Sequence, residues 1–252
     1  MATSTKGVVD VVFCLDASGS MAPCIDGVRK NLDSFLDALA GDANRKMDCR
    51  LDFLVHSCGA DGGLVRSKSL NKSGEDLIKA LYGQTPQPSA FFTTDRVAVS
   101  NALRSVEVYG DEAMLIALDM ALDYPWRPQA GCHRVVVLLT DEPLEANAIW
   151  AAQQAKLDAI IDKIQKLGVK LYLVGPQSAG LDTLAEADKC LYQKATQTYD
   201  GLGALDFSKV LGQIGKSVSA SVLQGRPDVG VKRALFGQDQ WVASDDAIRG
   251  GR

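Results

Sequence analysis

Apolar positions along the chain follow two alternating patterns. Val8, Val9, Val11, Val12, Phe13, Cys14 and Leu15 make a near-continuous run of strand length, which is what a strand covered on both faces requires. Arg134-Val-Val-Val-Leu-Leu-Thr-Asp141 repeats that pattern, and Leu51 to Val55, Val169 to Val174 and Cys190 to Gln193 read as further strands. Between them the apolar residues recur at helical spacing. Val28, Leu32, Phe35, Leu36 and Leu39 predict a helix over 26–40, and Leu77, Ile78 and Leu81 predict a short one after Ser73. Val97, Leu103 and Val106 extend a third over 95–108, and Met114, Leu115, Leu118 and Leu122 mark a fourth. Ile149, Leu157, Ile160, Ile161, Ile164 and Leu167 predict one long helix over 145–167, a short helix fits 180–189, and a last amphipathic helix spans 204–223. Gly41, Gly83 and Gly168 stand where C-caps close three of these helices.

Strands alternating with helices imply a doubly wound α/β domain, a mostly parallel central sheet with helices on both faces. Leu64-Val65, across the Asp61-Gly62-Gly63 turn, reads as a short antiparallel partner of the 51–55 strand, giving one antiparallel edge strand. Residues 84–95, QTPQPSAFFTTD, are irregular and Pro-containing and read as an insertion near the face that carries the chemistry. Trp126, in the Tyr124-Pro125-Trp126-Arg127-Pro128 connection, is either exposed for a partner or tucked in. From Gln224 onward Gly, Asp and Arg predominate. The organisation is therefore one domain over 1–223 and a tail over 224–252, mobile or pinned through Phe236 and Trp241.

Composition narrows the function classes. An apolar share of 46% and a charged share of 23% are those of a globular protein with a sizeable core. A net charge of −4 without a Lys/Arg run gives no electrostatic footprint for nucleic acid or an anionic membrane. No apolar run reaches the ~18 residues of a membrane span, and MATSTKG lacks a secretory pattern, so a cytoplasmic location is expected. Six scattered cysteines without a C-x-x-C pair then read as reduced thiols.

The candidate chemistry sits where the buried strands end. Asp16, Ser18 and Ser20 follow the first run as D-x-S-x-S on a Gly-containing loop, an oxygen-only set suited to a hard divalent cation. The pentapeptide alone is equally an ordinary turn with a capping Ser. Asp141, closing the second run, brings another carboxylate to the rim where open α/β sheets bind ligands. Asp111 and Glu112 precede the fourth helix, where acids also simply complement a helix N-terminus. His56 and His133 each lack a partner at ligand spacing and are assigned no chemistry. No G-x-S-x-G elbow, P-loop or G-x-G-x-x-G motif occurs.

These residues together resemble the von Willebrand factor type A domains that carry a metal-ion-dependent adhesion site, over about residues 7 to 222. The resemblance implies a Rossmann-like three-layer sandwich. It assigns the first ligand element to Asp16, Ser18 and Ser20 and the last to Asp141 in LLTDEP. The middle element departs from the common Gly-Gly-Thr: the chain reads Tyr109-Gly110-Asp111-Glu112-Ala113. Ala117 and Leu118, at the place of the family's small-apolar pair, put Glu112 at the Thr position with Asp111 just before it. In function, the resemblance implies a non-enzymatic, metal-dependent protein-binding module of stand-alone bacterial cytoplasmic type. It would hold Mg²⁺, with Mn²⁺ or Ca²⁺ as alternatives, and a partner's Asp or Glu would complete the metal shell. Relatives of this kind work beside AAA+ ATPases or in stress and conflict systems. Two other readings stay open, a metal-dependent hydrolase and a structural subunit with a degenerate site.

Overall fold

The computed structural model describes residues 7–40, 47–59, 66–83, 87–146, 149–195, 202, 205–224 and 241–243. Its strands are β1 (Val8–Asp16), β2 (Asp48–Ser57), β3 (Arg66–Ser69), β4 (His133–Leu139), β5 (Lys170–Gly175), β6 (Cys190–Lys194) and β7 (Trp241–Ala243). The helices are α1 (Ala22–Ala40), α2 (Gly74–Tyr82), α3 (Arg96–Arg104), α4 (Met114–Leu122), α5 (Trp150–Gln154), α6 (Leu157–Leu167), α7 (Ala179–Leu184) and α8 (Phe207–Gln224).

All seven strands join one sheet in the order β3-β2-β1-β4-β5-β6-β7, with β1 at the junction of the two halves. The pairs β1–β2, β1–β4, β4–β5 and β5–β6 are parallel. The expected antiparallel edge is β3, formed by Arg66–Ser69 against β2; Leu64 and Val65 lie outside the described residues. A second antiparallel edge, β7 against β6, comes from the C-terminal stretch through Trp241–Ala243, and Phe236 lies outside the described residues.

The unbroken apolar run of β1 feeds two cores, because successive side chains leave a strand on opposite faces. Val12 and Cys14 pack with Leu54, Val136 and Leu138 under α2, α4 and α6, whereas Val11, Phe13 and Leu15 pack with Phe53, Val135 and Val137 under α1, α3 and α8. Each fully buried Leu or Phe of this kind contributes about 1.5–3 kcal/mol. The sheet is thus pinned from both sides, and its carboxyl rim becomes a rigid platform.

Three expected elements differ; the helix expected over 180–189 is the short α7, which ends at Leu184. The stretch 145–167 is not one helix: a 3-10 turn at Leu144–Ala146, α5 and α6 replace it, with a break at Ala155 and Lys156. The segment Ala151 to Lys156 carries no large apolar residue to hold a continuous stripe on the sheet. The break lets buried Gln153 accept a hydrogen bond from Leu115 N at 2.9 Å, serving an α4 N-terminus whose own N-cap residue, Ala113, has no side-chain acceptor. Residues 95–108 likewise stop being helical after Arg104. Asp95 caps that helix by accepting from Val97 N and Ala98 N.

The insertion sits elsewhere than expected. Phe91 and Phe92 are buried against Tyr124, Phe92 also packs on Trp126 with ring centroids 5.2 Å apart, and Thr93 pairs with Leu51 near the start of β2. This anchors residues 87–95 towards the amino end of β2, away from its carboxyl rim; residues 84–86 lie outside the described set. Buried Asp52 clamps the segment by accepting from Phe92 N at 2.9 Å, Leu70 N at 3.0 Å and Phe53 N at 2.7 Å. Trp126 is the tucked-in alternative, its indole N–H donating to Ala121 O at 3.2 Å.

At that same amino end Asp10 is wholly buried and accepts from Arg50 Nε and Nη2, at 2.8 and 2.6 Å, and from Arg127 N and Nε, at 3.0 and 2.8 Å. Burial alone would push its carboxyl up, but the bonds from the two arginines outweigh it and hold the group below the ordinary range. Arg127 also reaches Val9 O and Asp48 Oδ2, and Arg134 donates to Arg127 O. One carboxylate thereby ties β1, β2 and the connection before β4.

Candidate metal centre

Asp16 is the last residue of β1, and its neighbour β4 ends one residue before Thr140 and Asp141. The parallel register pairs Leu15 with Leu139, so both chains deliver their acids to one rim. Asp16 Oδ1 accepts from Ser18 N at 2.7 Å, which folds the loop back over the strand end. Its Oδ2 accepts from Thr140 Oγ1 at 3.3 Å. Ser18 Oγ and Ser20 Oγ lie 3.2 Å apart on the turn into α1, the first buried and the second exposed.

Glu112 arrives from a third segment. Tyr109 N donates to Ala17 O at 2.8 Å, and Cys58 and Asp111 exchange backbone hydrogen bonds of 2.9 and 2.8 Å. The chain between these clips turns at Gly110, whose φ is +73°. A Cβ at Gly110 would collide with Cys58 O, so only glycine satisfies both the torsion and the close approach. Gly110→Ala should therefore destabilise the protein by on the order of 3 kcal/mol in urea unfolding. A loss below about 0.5 kcal/mol would show that the clip is not needed to seat Glu112.

Asp16, Glu112 and Asp141 each offer a carboxylate oxygen within 4.8 Å of the other two, and all three are buried. Burial, reinforced by the charge of Asp141, pushes the Asp16 carboxyl up to about 7 against the opposing bond from Ser18 N. Burial, the side chain of Asp111 and the charge of Asp16 push Glu112 up to about 9. Asp141 Oδ1 is buried with no hydrogen-bond partner among the described residues. Crowded carboxylates with an orphaned buried oxygen are unfavourable on their own. An all-oxygen set of this kind fits a hard divalent cation, so the residues present suit the metal that the sequence implied.

The structure separates the two middle candidates. Glu112 joins Asp16 and Asp141, whereas Asp111 belongs to an adjoining cluster with Glu112 and Glu142. Asp111 and Glu142 are half-buried. Sequence pattern did not single out Glu142, although an acid directly after Asp141 in TDEP was the available signal.

His56 ends up at the same rim, paired in register with Asp16. It is 1% exposed, and neither ring nitrogen has a hydrogen-bond partner among the described residues. Burial lowers its pKa to about 4. The unfolded chain would take up the His56 proton near pH 6.5, the folded chain only near 4, so the folded state binds fewer protons between those values. Its contribution is fully present above about 6.5 and is lost as pH falls towards about 4, by at most about 1.4 kcal/mol per pH unit. Chemical denaturation of wild type and His56→Leu in chelator, from about pH 7 to about 4.5, should show the stability difference moving steadily in favour of the variant as pH falls. Parallel curves would show that the imidazole stays accessible to protons.

No family model and no curated protein matches the chain. Solved structures do. One is a von Willebrand factor type A protein from Catenulispora acidiphila, 15% identical with a TM-score of 0.54, over 84% of this chain and 43% of that one. Another is the pilus adhesin SpaC from Lactobacillus rhamnosus GG in an open conformation, 17% identical with a TM-score of 0.53, over 87% and 31%. A third is the human COPII-coat protein Sec24c, 11% identical with a TM-score of 0.55, over 86% and 33%. The chain spans less than half the length of each. At these identities the likeness speaks to fold alone, since function resides in the site and not in the fold.

Proposed function

Because the chain has the von Willebrand factor type A fold, we propose that it is a protein-interaction module that engages its partner through a divalent cation held at the carboxyl rim of the sheet. The observation that carries this reading is the meeting of Asp16, Glu112 and Asp141 within 4.8 Å of one another, with Asp141 Oδ1 left without a partner among the described residues. Asp16, Asp141 and Glu112 would hold the ion, with Ser18 and Ser20 as hydroxyl donors and Asp111 in reserve beside Glu112. Mg²⁺ is the first choice, Mn²⁺ or Ca²⁺ the alternatives. When bound, the ion supplies a Lewis-acidic position that takes up a partner's Asp or Glu.

The protein's own residues prepare that position. Thr140 Oγ1 and Ser18 N each bond one oxygen of Asp16 and fix the orientation of the carboxylate. The Gly110 turn seats Glu112 from the third segment. Neighbours of this fold include a pilus adhesin and a coat protein, which supports interaction over catalysis. We place the module in the cytoplasm of a bacterium, as an accessory in an ATPase or stress system. Among the described helices, none is long and apolar enough to cross a membrane.

Calorimetric titration with MgCl₂, MnCl₂ and CaCl₂ tests the proposal. Saturable binding of at least one ion is expected, and at a free concentration about 100 times its Kd the protein should gain about 2.7 kcal/mol of stability. Absence of saturable binding by all three would refute it. Capture of a protein from native lysate that is lost in chelator would then identify the partner.

A further inference from the structure

Beside the metal rim, on the β2–β3 side, lies a cavity of about 350 Å³ whose walls include Ala17, His56, Arg66 and Lys68. That volume is at the lower end of the range for small-molecule sites. The chain is acidic overall, and half-buried cations such as Arg29, Arg50, Arg127 and Lys163 are held by carboxylates, whereas Arg134 donates to backbone carbonyls. Exposed Arg66 and half-buried Lys68 have no salt bridge among the described residues. Lying two apart on β3, they project from the same face of the strand.

Both cations are positioned by neutral groups. The Arg66 guanidinium lies over the Tyr109 ring, 4.2 Å from its centroid, which leaves the N–H fork free to bind. Lys68 Nζ donates to Ser105 O at 2.9 Å and Ser105 Oγ at 2.7 Å, which leaves one of its three N–H groups. Ser57, opposite Arg66 in the strand pairing, shares the face of the two cations, and Ser73 and Glu107 complete the wall with a hydroxyl and a carboxylate. His56 and Ser67 alternate to the other face of the strands, and the ring nitrogens of His56 are buried there.

We infer that this cavity is a binding site for the phosphate group of a small polar phosphomonoester. An arginine fork, a lysine and neighbouring hydroxyls are more donors than the two oxygens of a carboxylate can use. A phosphate monoester presents three acceptor oxygens and up to two negative charges, and arginine binds it through paired N–H bonds. Glu107 and the remaining hydroxyls suit the hydroxyls of the attached group. None of Asp16, Glu112 and Asp141 lines the cavity, so the phosphate would be held by other side chains than the metal.

The test is calorimetric titration of the full chain, in chelator, with inorganic phosphate, ribose 5-phosphate and succinate. Ribose 5-phosphate should bind saturably and more tightly than inorganic phosphate, and succinate should bind at least tenfold more weakly. Arg66→Ala and Lys68→Met should each weaken ribose 5-phosphate about tenfold or more, Arg66→Lys less, and Lys79→Ala, outside the cavity, should leave it unchanged. Folding of each variant is checked by its thermal transition, and the two cation variants serve as independent readouts. No saturation below roughly 10 mM, succinate binding as tightly as the phosphates, or undiminished binding by both cation variants would overturn the assignment. Because metal is absent throughout, the result is independent of the cation titration.

Discussion

Asp16→Asn should make the metal-free protein more stable and at the same time abolish its response to divalent cations. Asparagine keeps an oxygen for Ser18 N and turns an amide N–H towards Thr140 Oγ1, the two bonds that orient the native side chain. It removes one negative charge from a buried group of three whose oxygens lie within 4.8 Å of one another. Asp16 is raised to about 7 by burial and by Asp141, so at about pH 8 its ionised form stands against folding. Relief of that cost should be on the order of 2 kcal/mol. The urea midpoint in chelator should rise accordingly, while Mg²⁺ or Mn²⁺ at roughly the level that saturates wild type should leave the variant unmoved. Metal affinity should fall at least about 100-fold, since a direct ligand is lost where even outer-shell changes cost about 10–100-fold. If the variant instead unfolded more readily than wild type in chelator, the carboxylates would be partners in structure and not a strained site kept for a cation.

Asp10→Ala should do the opposite: a loss of about 4 kcal/mol with the rim chemistry intact. Removing this carboxylate leaves Arg50 and Arg127 without the acceptor that takes four of their hydrogen bonds, and truncating one side of a buried charge network typically costs about 3–5 kcal/mol. Asp10→Asn, which keeps one acceptor oxygen, should fall between. Asp10 and Asp16 lie near opposite ends of β1, about 20 Å apart along the strand. The folded fraction should therefore bind the cation with unchanged affinity. A stability loss below about 1 kcal/mol for Asp10→Ala would mean that water replaces the carboxylate at the arginines.

Much of this architecture was legible in local patterning. The run from Val8 to Leu15 could only be a strand covered on both faces, and a strand of that kind ends where the apolar residues end, at Asp16. The same logic places Asp141 beyond β4. Parallel neighbours then put the two acids on one rim. The residues Asp16 and Asp141 therefore came from one-dimensional pattern plus the rules of sheet assembly, as did the helices that cover both faces.

The features that pattern alone left open are of a different kind. Whether Asp111 or Glu112 joins the first cluster depends on a left-handed turn at Gly110 and a backbone clip to Cys58, and neighbouring side chains leave such an extended clip in opposite directions. The partition of 145–167 into two helices reflects Gln153 turning in to serve α4. Arg127 finds Asp10 across 117 positions of sequence, and His56, which has no partner at ligand spacing in the sequence, lines a cavity with Arg66 and Lys68. Periodicity reports which face of its own element a residue takes, because that depends on φ, ψ and neighbours a few positions away. Which distant side chain it meets there is set by register, crossing and loop closure, and these exist only once the whole chain has packed.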